Sequence, residues 1–427
     1  MATFDLSEIK IVDDHTSELE MLRNLVDEKD DENTVHLLNV GEIIRKHQLW
    51  IQKIPRVVPY YAVKCNPNPT IIKVLAALGG HFDCASKGEI VQVMQYEVPS
   101  DKIIFANPIK FPSHLEYARK VGVDTMTADS EEELKKIRKL YPDAKVVIRI
   151  RCDSTVKTAR THCLDDKFGC DHSSDAVQLI KMTLDLGLQL HGFSFHAGSP
   201  CEDAVAICRG IYRCKDLIDT AKTMGCRDVK LIDIGGGFPG ERDFILDEFA
   251  DMVNNALEDI DSSVEIISEP GRFIVASACN SAAYVIGKKT VMKENQKTFM
   301  YYITDGVYGS FNEELCTNNY FRSPVSSFRN RLIQSTSTDD EKYPSSVWGP
   351  TCDSFDVVLK NSMLPEFNVG DWLVWADIGA YSTSCANEFN GLQIPKVHPI
   401  MRRKDWLDFL LNYLSTEVKN GQNNEIY

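Results

Sequence analysis

Five short stretches of this 427-residue chain carry side chains whose chemistries fit one another. Lys64 closes the apolar run YYAVK, where loss of water lowers an amine's pKa and presents a neutral nucleophile able to form a Schiff base with a carbonyl. The glycines Gly235, Gly236 and Gly237 follow LIDI, and three residues without Cβ at a strand-to-helix turn let backbone N–H groups close on a phosphate. In SEPGR, Arg272 is a forked donor for the same phosphate, and Glu269 is a carboxylate for a protonated pyridine nitrogen. In FHAGSP, Ser199 brings a hydroxyl to phosphate and His196 an imidazole that can lie against an aromatic ring. In WGPTCD, Cys352 beside Asp353 offers a thiol as proton donor next to a carboxylate.

Each stretch alone also has a plain structural explanation. Lys64 can be a snorkelling surface lysine, the glycines a tight turn, His196 a satisfied core histidine and Cys352 a buried structural cysteine. His191 and His196 are five apart on one strand, so they face opposite ways and share no metal. The functional reading therefore needs a framework that brings these stretches to one place.

Such a framework is legible between Val57 and Arg272. Eight apolar runs, VPYYAVK, HFDCAS, KIIFANP, VDTMTADS, KVVIRIR, LQLHGFSFH, DVKLIDIGGG and VEIISEPGR, alternate with amphipathic stretches. One of the latter, SEEELKKIRKL, has Ser130 and Glu133 spaced as a helix capping box. Eight strand–helix units predict an α/β fold, a TIM-like (β/α)8 barrel, with chemistry at the C-terminal strand ends. Those ends carry Lys64, Asp83, Asn107, Asp129, Arg149, His196, the three glycines, and Glu269 with Arg272.

After Arg272 the runs FIVASACNSAAYVIGKKTV, TFMYYITDGVYG, SSVWGPTCDSFDVV and DWLVWADIGAY predict an antiparallel β domain. The expected organisation is a barrel over 37–275, a β-rich domain from 1–36 plus 276–405, and a short helix with a polar tail over 406–427. The stretch 323–343 is expected to be a mobile loop.

Lys and Arg number 47 against 62 Asp and Glu, and a net charge of −15 argues against nucleic acid or an anionic membrane as partner. No run approaches the ~18 apolar residues of a membrane span, and acidic residues break up the N-terminus. The 13 cysteines include no C-x-x-C pair, so no zinc site or disulfide framework is expected. A cytoplasmic protein with a small-molecule substrate and no metal fits this balance.

In this order, YYAVKCN, FDCASKGEI, FHAGSPC, LIDIGGGFPG, SEPGRF, DGVYGSFN, WGPTCD and VGDWLVWADIGAY resemble the eukaryotic ornithine decarboxylase family, from about Thr34 to Met401. That group of fold-type III enzymes uses pyridoxal 5'-phosphate and includes the antizyme inhibitors. The resemblance implies that Lys64 forms the Schiff base, that Asp83 and Arg149 flank the cofactor, that His196 stacks on its ring and that Glu269 pairs with its nitrogen. It implies Ser199, Gly236, Gly237, Arg272 and Tyr381 for the phosphate, Cys352 as the proton donor to Cα, and Asp353 facing the substrate side chain. It also implies a homodimer with shared active sites, the barrel of one subunit meeting Cys352 and Asp353 of the other. Antizyme binding around Pro112 to Leu140 stays open.

Two positions depart from the family. Ornithine decarboxylases follow GSFN with a stretch ending in Tyr-Asp, whose carboxylate helps hold the distal amine; here Cys316 and Thr317 occupy those substrate positions. Pro200 stands where the family has glycine, removing one backbone N–H from the phosphate loop. The resemblance and this change together predict a decarboxylase leaning to a neutral, leucine-like amino acid. The alternatives are an ornithine decarboxylase making putrescine for polyamine synthesis, a non-catalytic binder of the antizyme-inhibitor kind, and an amino-acid racemase.

Overall fold

The computed structural model describes residues 6–28, 31–152, 167–293, 295–315, 323–329, 332–334 and 341–411. They fall into two units, one within Ile44–Ile274 and the other within Asp5–Ile43 and Val275–Leu411.

The first unit is a closed barrel of eight parallel strands. In chain order they are Val57–Ala62, His81–Cys84, Ile103–Phe105, Thr125–Ala128, Lys145–Arg149, Gln189–Ser194, Leu231–Asp233 and Glu265–Ser268, each the expected apolar run. The eighth returns to the first with Ile266 opposite Val57 and Ser268 opposite Pro59. Inside, Ile104, Ala106, Val147, Leu231 and Ile267 form one buried cluster. Alternate positions such as Val146 and Ile148 point to the outer face and are equally buried. Burial on both faces is why these strands read as continuous apolar runs.

The helices between strands start where the local chemistry directs. Asn68 caps Pro69–Ala77 by accepting from the Thr70 N–H at 2.9 Å. Ser86 caps Lys87–Met94 by accepting from the Glu89 N–H, and the Glu89 carboxylate accepts in return from the Ala85 N–H at 2.6 Å.

The box expected at Ser130 and Glu133 does not form. Helix Glu131–Leu140 begins there, but Ser130 makes no side-chain cap bond. Glu133 is instead buried against the Lys110 ammonium at 2.9 Å and Lys136 at 2.5 Å. Lys110 also donates to the Thr127 and Asn107 carbonyls. A buried ammonium binds a carboxylate more strongly than a backbone N–H does, so the charge pair wins. Burial still pulls the Lys110 pKa down to about 8, against the pull of Glu133. Glu133→Gln, which strands this cation, is expected to lower stability by about 3 kcal/mol in urea unfolding.

The second unit is built on a ten-stranded sheet. Its main path runs Lys10–Val12, Lys396–Arg402, Val35–Asn39, Cys279–Lys293, Gln296–Ile303, Lys342–Trp348 and Val357–Pro365, with Trp372–Trp375 also paired to Cys279–Lys293. The sheet is mixed rather than wholly antiparallel. Lys10–Val12 lies parallel to Lys396–Arg402, that strand parallel to Val35–Asn39, and Gln296–Ile303 parallel to Lys342–Trp348. Partners so far apart in sequence need no tight hairpin, which is the condition for parallel pairing.

Val35–Asn39 pairs with Cys279–Lys293 and Lys396–Arg402 and so lies in the sheet of the second unit. Within the stretch expected to be a mobile loop, Ser326–Arg329 pairs with Leu332–Gln334 and with Trp372–Trp375, and Lys342–Trp348 is a sheet strand. The last described helix covers 403–411, starting before 406.

One face of the sheet packs Met21, Leu22 and Leu25 of helix Glu18–Glu28 on Leu37, Val374 and Ile400. Another cluster gathers Phe299, Tyr301, Phe311, Leu373 and Trp375. A buried polar knot holds the DGVYGS loop: the Asp305 Oδ1 accepts from the Gly306 and Ser310 N–H groups, and the Ser310 hydroxyl lies 2.8 Å from His36 Nε2. Burial disfavours the imidazolium, but Cys279 and Asp305 together push His36 up to about 9. Among the described residues no helix is long and apolar enough to cross a membrane.

Candidate active site

Lys64 stands in the turn Val63–Cys65 directly after the first barrel strand, and its ammonium donates to Asp83 Oδ2. Asp83 is wholly buried on the second strand, and its other oxygen has no hydrogen-bond partner. Arg149 ends the fifth strand with its guanidinium 5.3 Å from the Phe168 ring. Glu269 follows the eighth strand and is buried beside Asp233, the last residue of the seventh.

Sequence reading missed Asp233. Its signal was available: a carboxylate at a C-terminal strand end, immediately before the glycine turn. Its Oδ1 accepts from the Gly235 N–H at 2.8 Å, which fixes that turn, and its Oδ2 is buried without a partner.

These three carboxylates are buried close to one another. Burial first, then the Glu269 charge, pushes Asp83 up to about 7 against the pull of Lys64. Burial lifts Asp233 to about 6. Burial and then Asp233 lift Glu269 to about 8. Three carboxylates face two cations, Lys64 and Arg149, so full ionisation leaves one negative charge unbalanced. A protonated aromatic nitrogen would supply the missing positive charge.

The other side of the rim is built for an anion. Three loops meet where bulk is excluded. A Cβ on Gly236 would run into the Glu269 carbonyl, and one on Gly237, whose φ is +90°, into the Gly198 carbonyl. The Cys201 N–H donates to the Gly237 carbonyl at 2.7 Å, and the buried Arg272 donates through Nε to the Ser199 hydroxyl at 3.2 Å. Bare backbone, a hydroxyl and a guanidinium in one place match a phosphate.

Between the two halves lies His196. Its Nδ1 accepts from the Gly198 N–H at 3.0 Å. Burial, aided by Arg149 and Lys64, holds its pKa well below the usual histidine range. A neutral imidazole beside the glycine turn suits stacking on a flat ring. Lys64, Asp83, Arg149, His196, Ser199, Gly236, Gly237, Glu269 and Arg272 thus share one rim, and their chemistry fits pyridoxal phosphate at both its ring nitrogen and its phosphate.

Cys352, Asp353 and Tyr381 belong to the second unit. Cys352 is exposed, and its N–H donates to Asn390 Oδ1 at 3.0 Å. The Asp353 carboxylate accepts from the Tyr308 hydroxyl and from the Phe355 N–H at 3.2 Å, and the Tyr308 bond leads in holding its pKa below the usual range. Tyr308 is a second residue missed in sequence, although its motif DGVYGSFN was noted. Tyr381 follows Trp372–Trp375 with φ of +49°. Cys316 and Thr317 lie outside the described residues.

A parallel barrel with a lysine, a carboxylate cluster and a phosphate cradle on its C-terminal rim defines a pyridoxal-phosphate enzyme. Residues 40–276 match the family model of the pyridoxal-dependent decarboxylase pyridoxal-binding domain, and residues 212–379 match that of its C-terminal sheet domain. Ornithine decarboxylase of Mus musculus is 41% identical over 399 residues, 90% of this chain and 84% of the relative. Antizyme inhibitor 2 of Xenopus laevis is 40% identical over 401 residues, covering 91% and 85%. The arginine decarboxylase of Paramecium bursaria Chlorella virus superposes with a TM-score of 0.81 at 30% identity, covering 90% of this chain and 99% of that one. The chain belongs to the ornithine decarboxylase family and is a pyridoxal-phosphate-dependent decarboxylase.

The raised carboxylates set a pH dependence. A carboxylate whose folded pKa lies above its unfolded value of 3.8 or 4.5 stabilises the fold fully only below that value. Its contribution is lost as pH rises through about 6, 7 and 8 for Asp233, Asp83 and Glu269. A cofactor with a protonated ring nitrogen would offset that penalty when bound there. Melting temperatures of cofactor-free protein are expected to fall from pH 6 to 8 more steeply than those of loaded protein. Parallel curves would contradict the charge balance.

Proposed function

We propose that this enzyme decarboxylates a neutral, leucine-like L-amino acid to a primary amine and carbon dioxide. The observation that carries this is the stretch EELCTNNYF after GSFN, in which Cys316 and Thr317 replace the Tyr-Asp of ornithine decarboxylases. Losing a charge-assisted bond to a buried amine costs roughly 1.5 to 3 kcal/mol, or about ten- to a hundredfold in ornithine binding.

In this reading Lys64 holds the cofactor and yields it to the substrate amine, with Asp83 keeping the amine in place. Glu269, steadied by Asp233, keeps the ring nitrogen protonated. His196 lies on the ring, Arg149 flanks it, and Ser199, Gly236, Gly237, Arg272 and Tyr381 bind its phosphate. The bound cofactor supplies an electron sink for the pair left on Cα when carbon dioxide departs. Cys352 delivers the proton to Cα, and Asp353, Cys316 and Thr317 border the substrate side chain. The working unit is a cytoplasmic homodimer with shared active sites, a surface for antizyme being a further property of this family reading.

The specific rival is an ornithine decarboxylase, favoured by 41% identity to the mouse enzyme and by the retained Asp353. A non-catalytic antizyme-inhibitor role draws on the Xenopus relative, but the Lys64–Asp83 pair argues against it. Carbon dioxide release from ornithine, lysine, arginine, leucine, isoleucine, valine and methionine separates these readings. We expect leucine at least tenfold ahead of ornithine, and Thr317→Asp to raise ornithine turnover by about ten- to a hundredfold. Ornithine well ahead of leucine in the unaltered enzyme would overturn the proposal.

A further inference from the structure

Cys352 and Asp353 stand in one loop of the second unit, and each is held from elsewhere in that unit. The Asp353 carboxylate accepts from the Tyr308 hydroxyl, and the Cys352 N–H donates to Asn390 Oδ1 at 3.0 Å. The two holds have a common origin. The Asn387 N–H donates to the Tyr308 carbonyl at 2.9 Å, and the Phe389 ring centroid lies 4.6 Å from that of Tyr308. Asn387 Oδ1 accepts in turn from the Phe389 N–H at 3.0 Å, which folds the segment on itself. The stretch 387–390 therefore reaches both Tyr308, which engages Asp353, and Cys352 directly.

The backbone of this stretch is unusual at its last residue. Asn390 has φ of +58° and ψ of 15°, the left-handed region in which side chains are uncommon and asparagine is among those best tolerated. Gly391 follows with φ of +74°, its N–H donating to the Glu388 carbonyl at 2.9 Å. A turn that needs two left-handed residues in succession is met most easily by two glycines. Asparagine at the first of them adds one thing that glycine lacks, an oxygen that reaches the Cys352 N–H from 38 residues away. The inference runs from this backbone outlier to a role for the side chain that it carries.

A hold on the backbone bears directly on the thiol. Cysteine has a single χ angle before its sulfur, so the sulfur goes only where the backbone and the staggered rotamers put it. The loop around Cys352 is exposed, and without an anchor it would wander. A reacting group displaced by about 1 Å can lose about a hundredfold in rate, so an anchor one bond from the donor residue matters to proton delivery.

We propose that Asn390 is a positioning residue for Cys352: its side-chain oxygen fixes the backbone that carries the thiol, while Asn387 and Phe389 fix Tyr308 and, through it, Asp353. This rests on the reading of Cys352 as proton donor to Cα. Two carbons compete for that proton, because the electron pair left by departing carbon dioxide is shared between Cα and the cofactor. A proton placed on Cα yields the amine. A proton placed on the cofactor's carbon instead converts amino acid and pyridoxal phosphate into carbon dioxide, an aldehyde and pyridoxamine phosphate, the amino group passing to the cofactor and the aldehyde oxygen to the substrate carbon. The ratio of aldehyde to amine therefore reports how well the donor is placed, independently of how fast the enzyme turns over.

Two substitutions in the full-length enzyme test it. Asn390→Gly removes the oxygen and suits the left-handed backbone, whereas Asn390→Asp keeps an oxygen there. We expect Asn390→Gly to melt close to the parent and yet to raise the aldehyde-to-amine ratio at least about tenfold, with whichever amino acid of the panel above is turned over fastest. In cofactor-free protein, hydrogen exchange at the Cys352 amide should quicken about fivefold, as for the loss of one hydrogen bond. Asn390→Asp should stay near the parent in both measurements. A turn residue with no further role predicts a glycine variant with a parent-like ratio, and that result overturns the proposal. So does an unchanged exchange rate, an aspartate variant as impaired as the glycine one, or a glycine variant that melts far below the parent. Cys352→Ser separates this from the reading beneath it. A raised ratio there beside a parent-like one in Asn390→Gly removes only the positioning role, whereas a parent-like ratio in Cys352→Ser removes Cys352 as donor and the proposal with it.

Discussion

Lys64→Ala protein stays colourless after incubation with pyridoxal phosphate and releases carbon dioxide at least roughly a thousandfold more slowly, a loss of about 4 kcal/mol of transition-state stabilisation. The physical reason is local. Lys64 is the amine at the end of the first strand, and Asp83 already engages its proton donors at the site where the cofactor must attach. Truncation to alanine removes the amine and with it the covalent attachment, so cofactor held only by the phosphate cradle is lost on desalting. The variant also strands the buried Asp83, whose pKa should rise further once the Lys64 charge is gone. Asp83→Asn in the same chain should restore the melting temperature without restoring activity. A visible cofactor band in Lys64→Ala, or substantial turnover, would sink the assignment.

Glu269→Gln should retain the cofactor yet lose about a hundredfold or more in kcat, near the 2.7 to 4 kcal/mol typical of removing one electrostatic stabiliser from a closed site. Glutamine fills the same space but cannot pair with a protonated ring nitrogen. Asp233 would remain beside it, buried and without a partner for Oδ2. The expected signature is a split: a large fall in kcat with a small change in cofactor affinity, since the phosphate cradle of Arg272 and Ser199 lies elsewhere on the rim. The melting temperature of the cofactor-free variant should also fall less between pH 6 and 8, because the carboxylate raised to about 8 is gone. A variant that loses cofactor but keeps kcat when saturated would place Glu269 in binding alone.

The barrel was legible because its strands are buried on both faces. That makes each one an apolar run, and eight such runs between amphipathic stretches leave few other closed arrangements. Lys64, Arg149, His196, Glu269 and the glycines were legible for the same reason, since polar residues at the end of apolar runs stand out. Asp233 was not, because LIDI reads as strand and its carboxylate gains meaning only beside Glu269. The capping box at Ser130 misled because the spacing of Ser130 and Glu133 is local, whereas Lys110 reaches Glu133 from a different loop. The partners of Val35–Asn39 were not legible either, because they lie more than two hundred residues away.

The sequence by itself determined the eight strand–helix units, the kinds of chemical group at their ends, and through them the class of cofactor, since these follow from patterns repeated every few residues. Tertiary structure alone decided which carboxylates share one buried space, and so which are held protonated. It alone set Lys110 against Glu133 where the local spacing suggested a capping box. Both depend on distances between residues far apart in the chain and on their burial, and no local pattern encodes either. Lys64 could be found by reading; the charge that surrounds it had to be folded into place.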